Sequence, residues 1–287
     1  MKELEYITPC HFGLESVLKR EIGRLGYEIS SVEDGRILFK GDSMACARAN
    51  VNLRSAERVL LKAGEFTAST YDELYEQTRA IPWEEMLPKD AKFWVTKASS
   101  VKSTLYSPSD IQRIMKKAMA DRMSSAYGVK WMPENGASYP MRVSLKKDRV
   151  TIGIDTTGTS LHKRGYRVSP VIAPISETLA AALIMLTPWR AGRILVDPFC
   201  GSGTFPIEAA MIAQNIAPGM KRKFLAETWD GILDGKEFTD ARAEARAAVK
   251  KEFDSDIQGY DIDPKAIRAC RENAEAAGVG GLIHFQR

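Results

Sequence analysis

From Ile194 to Ala210 the chain reads ILVDPFCGSGTFPIEAA. An apolar run ends at an acid, a Gly-Ser-Gly turn follows, and an apolar-periodic segment carrying Glu208 begins. This order leaves few folds open, because it describes a strand that turns sharply through glycine into a helix, the repeating unit of a parallel doubly wound sheet. The same transition recurs in GYDIDPKAIRACRENAEAAG, where Asp263 is placed to cap a helix and Pro264 to occupy its first turn. LIHFQR then opens a third strand, and a helix over Glu177–Leu186 precedes the first. The acidic stretch between the two units ends in ARAEARAAVKKEFD, which reads as a surface helix. Residues 169–287 therefore predict a βαβαβ sheet.

The glycines need a physical reason. Gly201 and Gly203 let the backbone turn and approach a ligand without Cβ clashes. The helix behind them offers free N–H groups and a positive dipole end, which suit a carboxylate or a phosphate. Three ligands compete. A phosphate-binding P-loop needs Lys after its last glycine, and here Thr204 follows Gly203. A dinucleotide turn needs a third glycine, and position 206 is proline. The third is S-adenosylmethionine, with Asp197 near its ammonium group. Asp261 ends the second strand, where an acid can accept both ribose hydroxyls, and Ile262 is placed to pack on the adenine.

Upstream, residues 1–64 and 65–168 alternate short helices and strands and predict small α+β units. The ends of the helix in SPSDIQRIMKKAMADRMSSAYG are marked by a cap-like Ser107-Pro108 and by Gly128. YPMRVSLKKDRVTIGID reads as two strands across a Lys-Lys-Asp turn, and the basic stretch around Pro170 and Pro174 as a linker. The whole chain carries a net charge of +4, yet residues 101–170 hold 13 Lys/Arg against five acids, so the positive surplus is local. Such a segment is the footprint of a polyanion contact. No apolar run reaches the roughly 18–20 residues of a membrane span. The four cysteines lie far apart with no C-x-x-C pair, which predicts neither a disulfide framework nor a metal site and fits reduced thiols in a cytoplasm.

DPFCGSGTFPIEAAMIAQNIAPG and GYDIDPKAIRACRENAEAAG resemble the methyltransferase domain of the THUMP-containing RNA methyltransferases; LYSPSDIQRIMKKAM and VTIGIDTTGTSLHKRGYR resemble their THUMP segment and its junction. The resemblance covers essentially the whole chain. It implies an α+β N-terminal region, ferredoxin-like over 1–64 and THUMP over 65–168, then a Rossmann-like α/β methyltransferase domain over 169–287. It also implies S-adenosylmethionine as cofactor, held by Asp197, Pro198, Gly201, Gly203, Thr204, Asp261 and Ile262. Its substrate would be RNA, namely a guanine exocyclic amine in large-subunit 23S rRNA, with transfer RNA or a non-catalytic RNA-binding role as alternatives. The candidate phosphate contacts are Lys102, Arg113, Lys116, Lys117, Lys146, Lys147, Arg149, Lys163, Arg164 and Arg167, with Tyr106 and Tyr166 as candidates for base stacking. The family's Asn/Asp-Pro-Pro-aromatic loop is not found: the Asp-Pro pairs at 197–198 and 263–264 belong to cofactor-type positions. No catalytic residue is therefore assigned. The expectation is a methyltransferase domain lacking its second half and inactive by itself.

Overall fold

The computed structural model describes residues 3–168, 174–233 and 235–287; Pro170 of the expected linker lies outside them. Two sheets organise the chain. The first has seven strands: β1 (Leu4–Pro9), β2 (Glu28–Glu33), β3 (Arg36–Gly41), β4 (Leu60–Thr67), β5 (Lys92–Val101), β6 (Ser138–Lys146) and β7 (Arg149–Asp155), in spatial order β2-β3-β1-β4-β7-β6-β5. It is antiparallel except for the parallel β5–β6 pair, whose crossover is made by helix α4 (Pro108–Tyr127). The expected division at 64/65 falls inside β4, which joins β1 on one side and β7 on the other. One continuous sheet thus runs through both α+β units.

Helix boundaries follow the local chemistry. Helix α1 (Glu15–Arg24) buries Val17, Leu18 and Ile22, and α2 (Ser43–Asn52) is capped by Asp42. Thr70 and Glu73 form a reciprocal capping box on α3 (Tyr71–Ala80). On α4, Ser107 caps the start, Met115, Met119 and Met123 enter the core, and Gly128 closes the end at φ +63°.

The second sheet has three parallel strands, β8 (Leu195–Asp197), β9 (Ile257–Tyr260) and β10 (His284–Gln286), in order β10-β9-β8. Helix α5 (Glu177–Leu186) precedes β8, α6 (Thr204–Ala213) follows it, and α8 (Pro264–Ala277) links β9 to β10. The elements of the expected βαβαβ unit are all present. The surface helix expected between α6 and β9 is present, beginning earlier than expected and with one face buried. Helix α7 (Gly235–Ala247) packs on α2, and Phe224, Trp229 and Phe238 join the N-terminal core. Trp229 stacks on Tyr139 at 4.5 Å and donates its Nε1–H to the Ser138 carbonyl at 2.9 Å. Residues late in the chain thus complete the core of its first half.

Candidate functional site

Strand β8 delivers Asp197 at its carboxyl end, opposite Gly259 of β9. Asp197 Oδ1 accepts the Phe199 N–H at 3.1 Å, which bends the chain out of the sheet. The Cys200 N–H donates to the Tyr260 carbonyl at 2.8 Å, tying the turn to the neighbouring strand. Asp261 then organises the rest: its Oδ2 accepts the Gly201 N–H at 3.0 Å and its Oδ1 the Asp263 N–H at 2.9 Å. Two carboxylates consequently stand at adjacent strand ends across one glycine turn. Burial pushes the Asp197 carboxyl above the usual carboxylate range; the nearby Asp261 adds to the shift, and the Phe199 N–H opposes it.

The two glycines do different jobs. Gly203 has φ +79°, and a Cβ there would stand 3.2 Å from Cys270 Cβ and 3.3 Å from the Phe285 ring, so it lets the turn pack on α8 and β10. Gly201 has φ +54° and faces open space, with nothing within 4 Å of a Cβ. It leaves the turn bare toward a ligand. Ile262 and Phe199 are exposed at the two strand ends, 85% and 88%, the environment of side chains that a flat ligand would cover. Pro198 and Asp197 line an apolar groove of about 280 Å³ with Leu183, Ile184 and Phe205.

Thr204, of the expected cofactor set, turns its side chain away from the open face of the turn. It is buried, and its Oγ1 is shared with Ser202 Oγ at 3.0 Å and Arg167 Nη2 at 3.2 Å, so its hydroxyl holds the turn from behind. Asn273, which sequence reasoning missed, does the same work. Its Nδ2 donates to the Ser202 carbonyl at 3.1 Å and its Oδ1 accepts the Val168 N–H at 2.9 Å. The signal was present: Asn273 continues the buried stripe of Ala266, Cys270 and Ala277 on α8, where a polar side chain needs a partner.

The basic candidates separate into three groups. Lys102, Lys117, Lys147 and Lys163 are exposed. Lys117 lies over the Tyr75 ring at 5.7 Å. A second group is matched by carboxylates: Arg113 with Asp110 at 3.2 Å, Lys116 with Glu134 at 2.5 Å, Lys146 with Asp34 at 3.0 Å, and Arg149 with Glu65. The third group corrects the expectation. The Arg164 side chain is 1% exposed, pairs with Glu208 at 3.4 Å and donates to the carbonyls of Leu161 and Arg54 at 2.7 and 2.5 Å. A phosphate cannot reach a guanidinium so enclosed. Arg167 pairs with Glu177 at 3.3 Å beside Thr204. Tyr166 is buried, with its hydroxyl donating to Glu208 at 3.0 Å, which removes it as a stacking surface; Tyr106 is 81% exposed.

All four cysteines are buried and free; Cys200 and Cys270 Sγ lie 3.5 Å apart, a thiol hydrogen bond and not a disulfide. Among the described residues, no group of three or more His, Cys, Asp or Glu is arranged to hold a metal, and no helix is long and apolar enough to cross a membrane.

Comparison with known proteins matches three family models along the chain. The RlmL ferredoxin-like domain covers residues 5–60, the THUMP domain 68–155, and the RMKL-like methyltransferase domain 164–287. The curated "Putative RNA methyltransferase YpsC" of Bacillus subtilis is 46% identical over 290 residues, which span all of this chain and 74% of that protein. The ribosomal RNA large subunit methyltransferase K/L of Vibrio parahaemolyticus is 34% identical, covering 98% of this chain and 40% of its own length. The solved structure of SMU.472, complexed with SAH, superposes with a TM-score of 0.93 at 40% identity, over 100% of this chain and 75% of that one.

Proposed function

The chain belongs to the family of THUMP-containing methyltransferases with an RlmL-type ferredoxin-like domain, and from that membership we propose that it serves transfer of a methyl group from S-adenosylmethionine to the exocyclic amine of a guanine in 23S ribosomal RNA. The observation that carries the reading is the pair of carboxylates around a bare glycine turn. The donor set fits the cofactor. Asp197 suits the ammonium group, and each Asp261 oxygen keeps a lone pair for a ribose hydroxyl after accepting its backbone N–H. The open space over Gly201 admits the ligand's backbone, and Ile262 is available to the adenine face. The SAH bound by SMU.472 supports the same assignment.

When bound, the cofactor supplies an electrophilic methyl group on a sulfonium. This chain's residues hold and orient it: Asp261 through the ribose, Asp197 through the ammonium. The guanine amine is a poor nucleophile because its lone pair is delocalised into the ring, so positioning carries much of the rate, and the base must leave its stack to be reached. The K/L relative supports the ribosomal substrate through its own name.

Deleting the gene and mapping modified nucleosides in ribosomal RNA by mass spectrometry tests the reading. Loss of one N2-methylguanosine from 23S RNA, restored by the wild-type gene and not by an Asp261→Ala copy, is the expected result. Intact ribosomal RNA with a methyl group missing from transfer RNA would move the substrate.

A further inference from the structure

Eight of the 13 cations in residues 101–170 pair with acids, and a further set of unpaired cations lies elsewhere. A cleft of about 670 Å³ opens between the N-terminal helices and the carboxyl ends of α5 and α6. Arg20 and Arg24 of α1 line one side, Arg190 and Lys250 the other, and Arg54 the floor. Glu21 is the one carboxylate among its described lining residues. Its oxygens are already engaged, accepting the N–H groups of Arg54 and Ser55 at 2.8 and 3.0 Å and the Ser55 hydroxyl. Arg20, Arg24, Arg190 and Lys250 form no ion pair among the described residues; Arg20 donates only to the Met185 carbonyl, at 3.3 Å. Arg54 is 8% exposed, gives its Nη2 to the Ile216 carbonyl at 2.8 Å, and leaves Nη1 without a partner.

We propose that this cleft binds the sugar–phosphate backbone of the substrate RNA, as a second contact separate from the 101–170 segment. The inference rests on the RNA reading above and adds a place to it. A cleft in which five cations face one carboxylate concentrates anions more strongly than an open surface does. An RNA strand is favoured over a lone nucleotide because the hollow continues. A neighbouring recess of about 530 Å³ shares Ala191 and Lys250 with it and adds Lys251 beside two acids, Glu252 and Asp254, so the hollow continues while its charge is balanced there. Trp189 in the wall gives a base an apolar surface. The cleft lies at the amino end of β8, and the ten residues of α6, about 15 Å, separate it from the glycine turn. Its cations therefore position RNA and do not touch the reacting atoms.

The test is RNA affinity of the 287-residue chain against salt, read by fluorescence anisotropy with a single-stranded ribosomal fragment. Arg24→Gln, Arg190→Gln and Lys250→Gln together are expected to reduce the slope of log K against log salt by about 2, and to weaken binding about a hundredfold at 0.1 M salt, since each single-strand phosphate contact contributes ~0.7 to the slope. SAH affinity, measured by calorimetry, should stay the same. All three residues are exposed, and Arg190→Glu alone carries the test if the triple variant fails to fold. An unchanged slope in a variant that still binds SAH overturns the cleft and leaves the methyltransferase reading standing. A wild-type chain that binds neither SAH nor RNA overturns both. With AMP and inorganic phosphate as probes, binding weaker than millimolar is expected. Micromolar AMP binding lost in the triple variant would give the cleft to a free nucleotide and overturn the RNA assignment.

Discussion

Replacing Arg164 by Met decides between a phosphate contact and a structural bolt. The guanidinium lies between Glu208 of α6, the Leu161 carbonyl and the Arg54 carbonyl, and both members of the ion pair are essentially inaccessible. One Glu208 oxygen, Oε2, already has no partner. Removing Arg164 therefore leaves a buried carboxylate with only the Tyr166 hydroxyl, a cost of about 3–5 kcal/mol, against a whole-fold stability of order 5–15 kcal/mol. Urea denaturation followed by tryptophan fluorescence should show this penalty. Adding Glu208→Gln should recover most of the loss, because the Tyr166 hydroxyl can still donate to the amide oxygen. A penalty below about 1 kcal/mol would refute the burial argument. RNA affinity lost at unchanged stability would restore the phosphate contact.

Three further outcomes follow from the same geometry. Gly203→Ala should cost at least the ~1–2 kcal/mol of a left-handed non-glycine residue, with crowding against Cys270 and Phe285 added, whereas Gly201→Ala, whose Cβ enters open space, should cost less in a thermal melt and more in SAH affinity. Asp197→Asn should raise the melting temperature at neutral pH, because burial and Asp261 disfavour the charge there. It should also weaken cofactor binding roughly 10- to 150-fold, as for a lost charge-assisted hydrogen bond of ~1.5–3 kcal/mol, and wild-type affinity should fall as acidification protonates Asp197. Arg113→Gln and Lys146→Gln, each already paired with an acid, should change the salt slope of RNA binding by less than about 0.5 in the same anisotropy titration.

What was legible in the sequence is local chemistry. Caps, glycines and apolar stripes place α4 and α8, and the strand–turn–helix order places β8, β9 and both acids of the site. Strand β2 was not legible, since in EISSVE no residue is fully buried and the alternation is weak. The position of Thr204 after Gly203 says nothing of which way its hydroxyl turns; Ser202 and Arg167 settle that direction through space. Arg164 read as surface for a related reason. Net charge over a segment counts cations without their partners, and Glu208 lies 44 residues away on α6. The cleft cations escaped for the converse reason, because Arg24, Arg190 and Lys250 come from three separated segments and form no basic run.

Helix α6 explains why a buried ion pair is worth its desolvation. It carries the glycine turn at one end, and other parts of the fold grip it along its length. At its first residue Arg167 reaches Thr204, within its second turn Arg164 reaches Glu208, and past its last turn Arg54 holds the Ile216 carbonyl. From the other direction, the stretch after α6 returns to the N-terminal core. The Gly219 N–H bonds to the Val51 carbonyl at 2.8 Å, so closely that a Cβ would meet Val51 Cα at 2.6 Å, and Arg48 grips Glu244 through two bonds of 2.7 Å. Arg54 also lines the proposed RNA cleft, so one side chain touches both the cleft floor and the end of the helix that holds the turn. A polar bolt is directional where an apolar contact is not, and it fixes the rotation of α6 about its axis as well as its distance from the first sheet. RNA held on the N-terminal half, as proposed above, would thereby be held in register with the glycine turn.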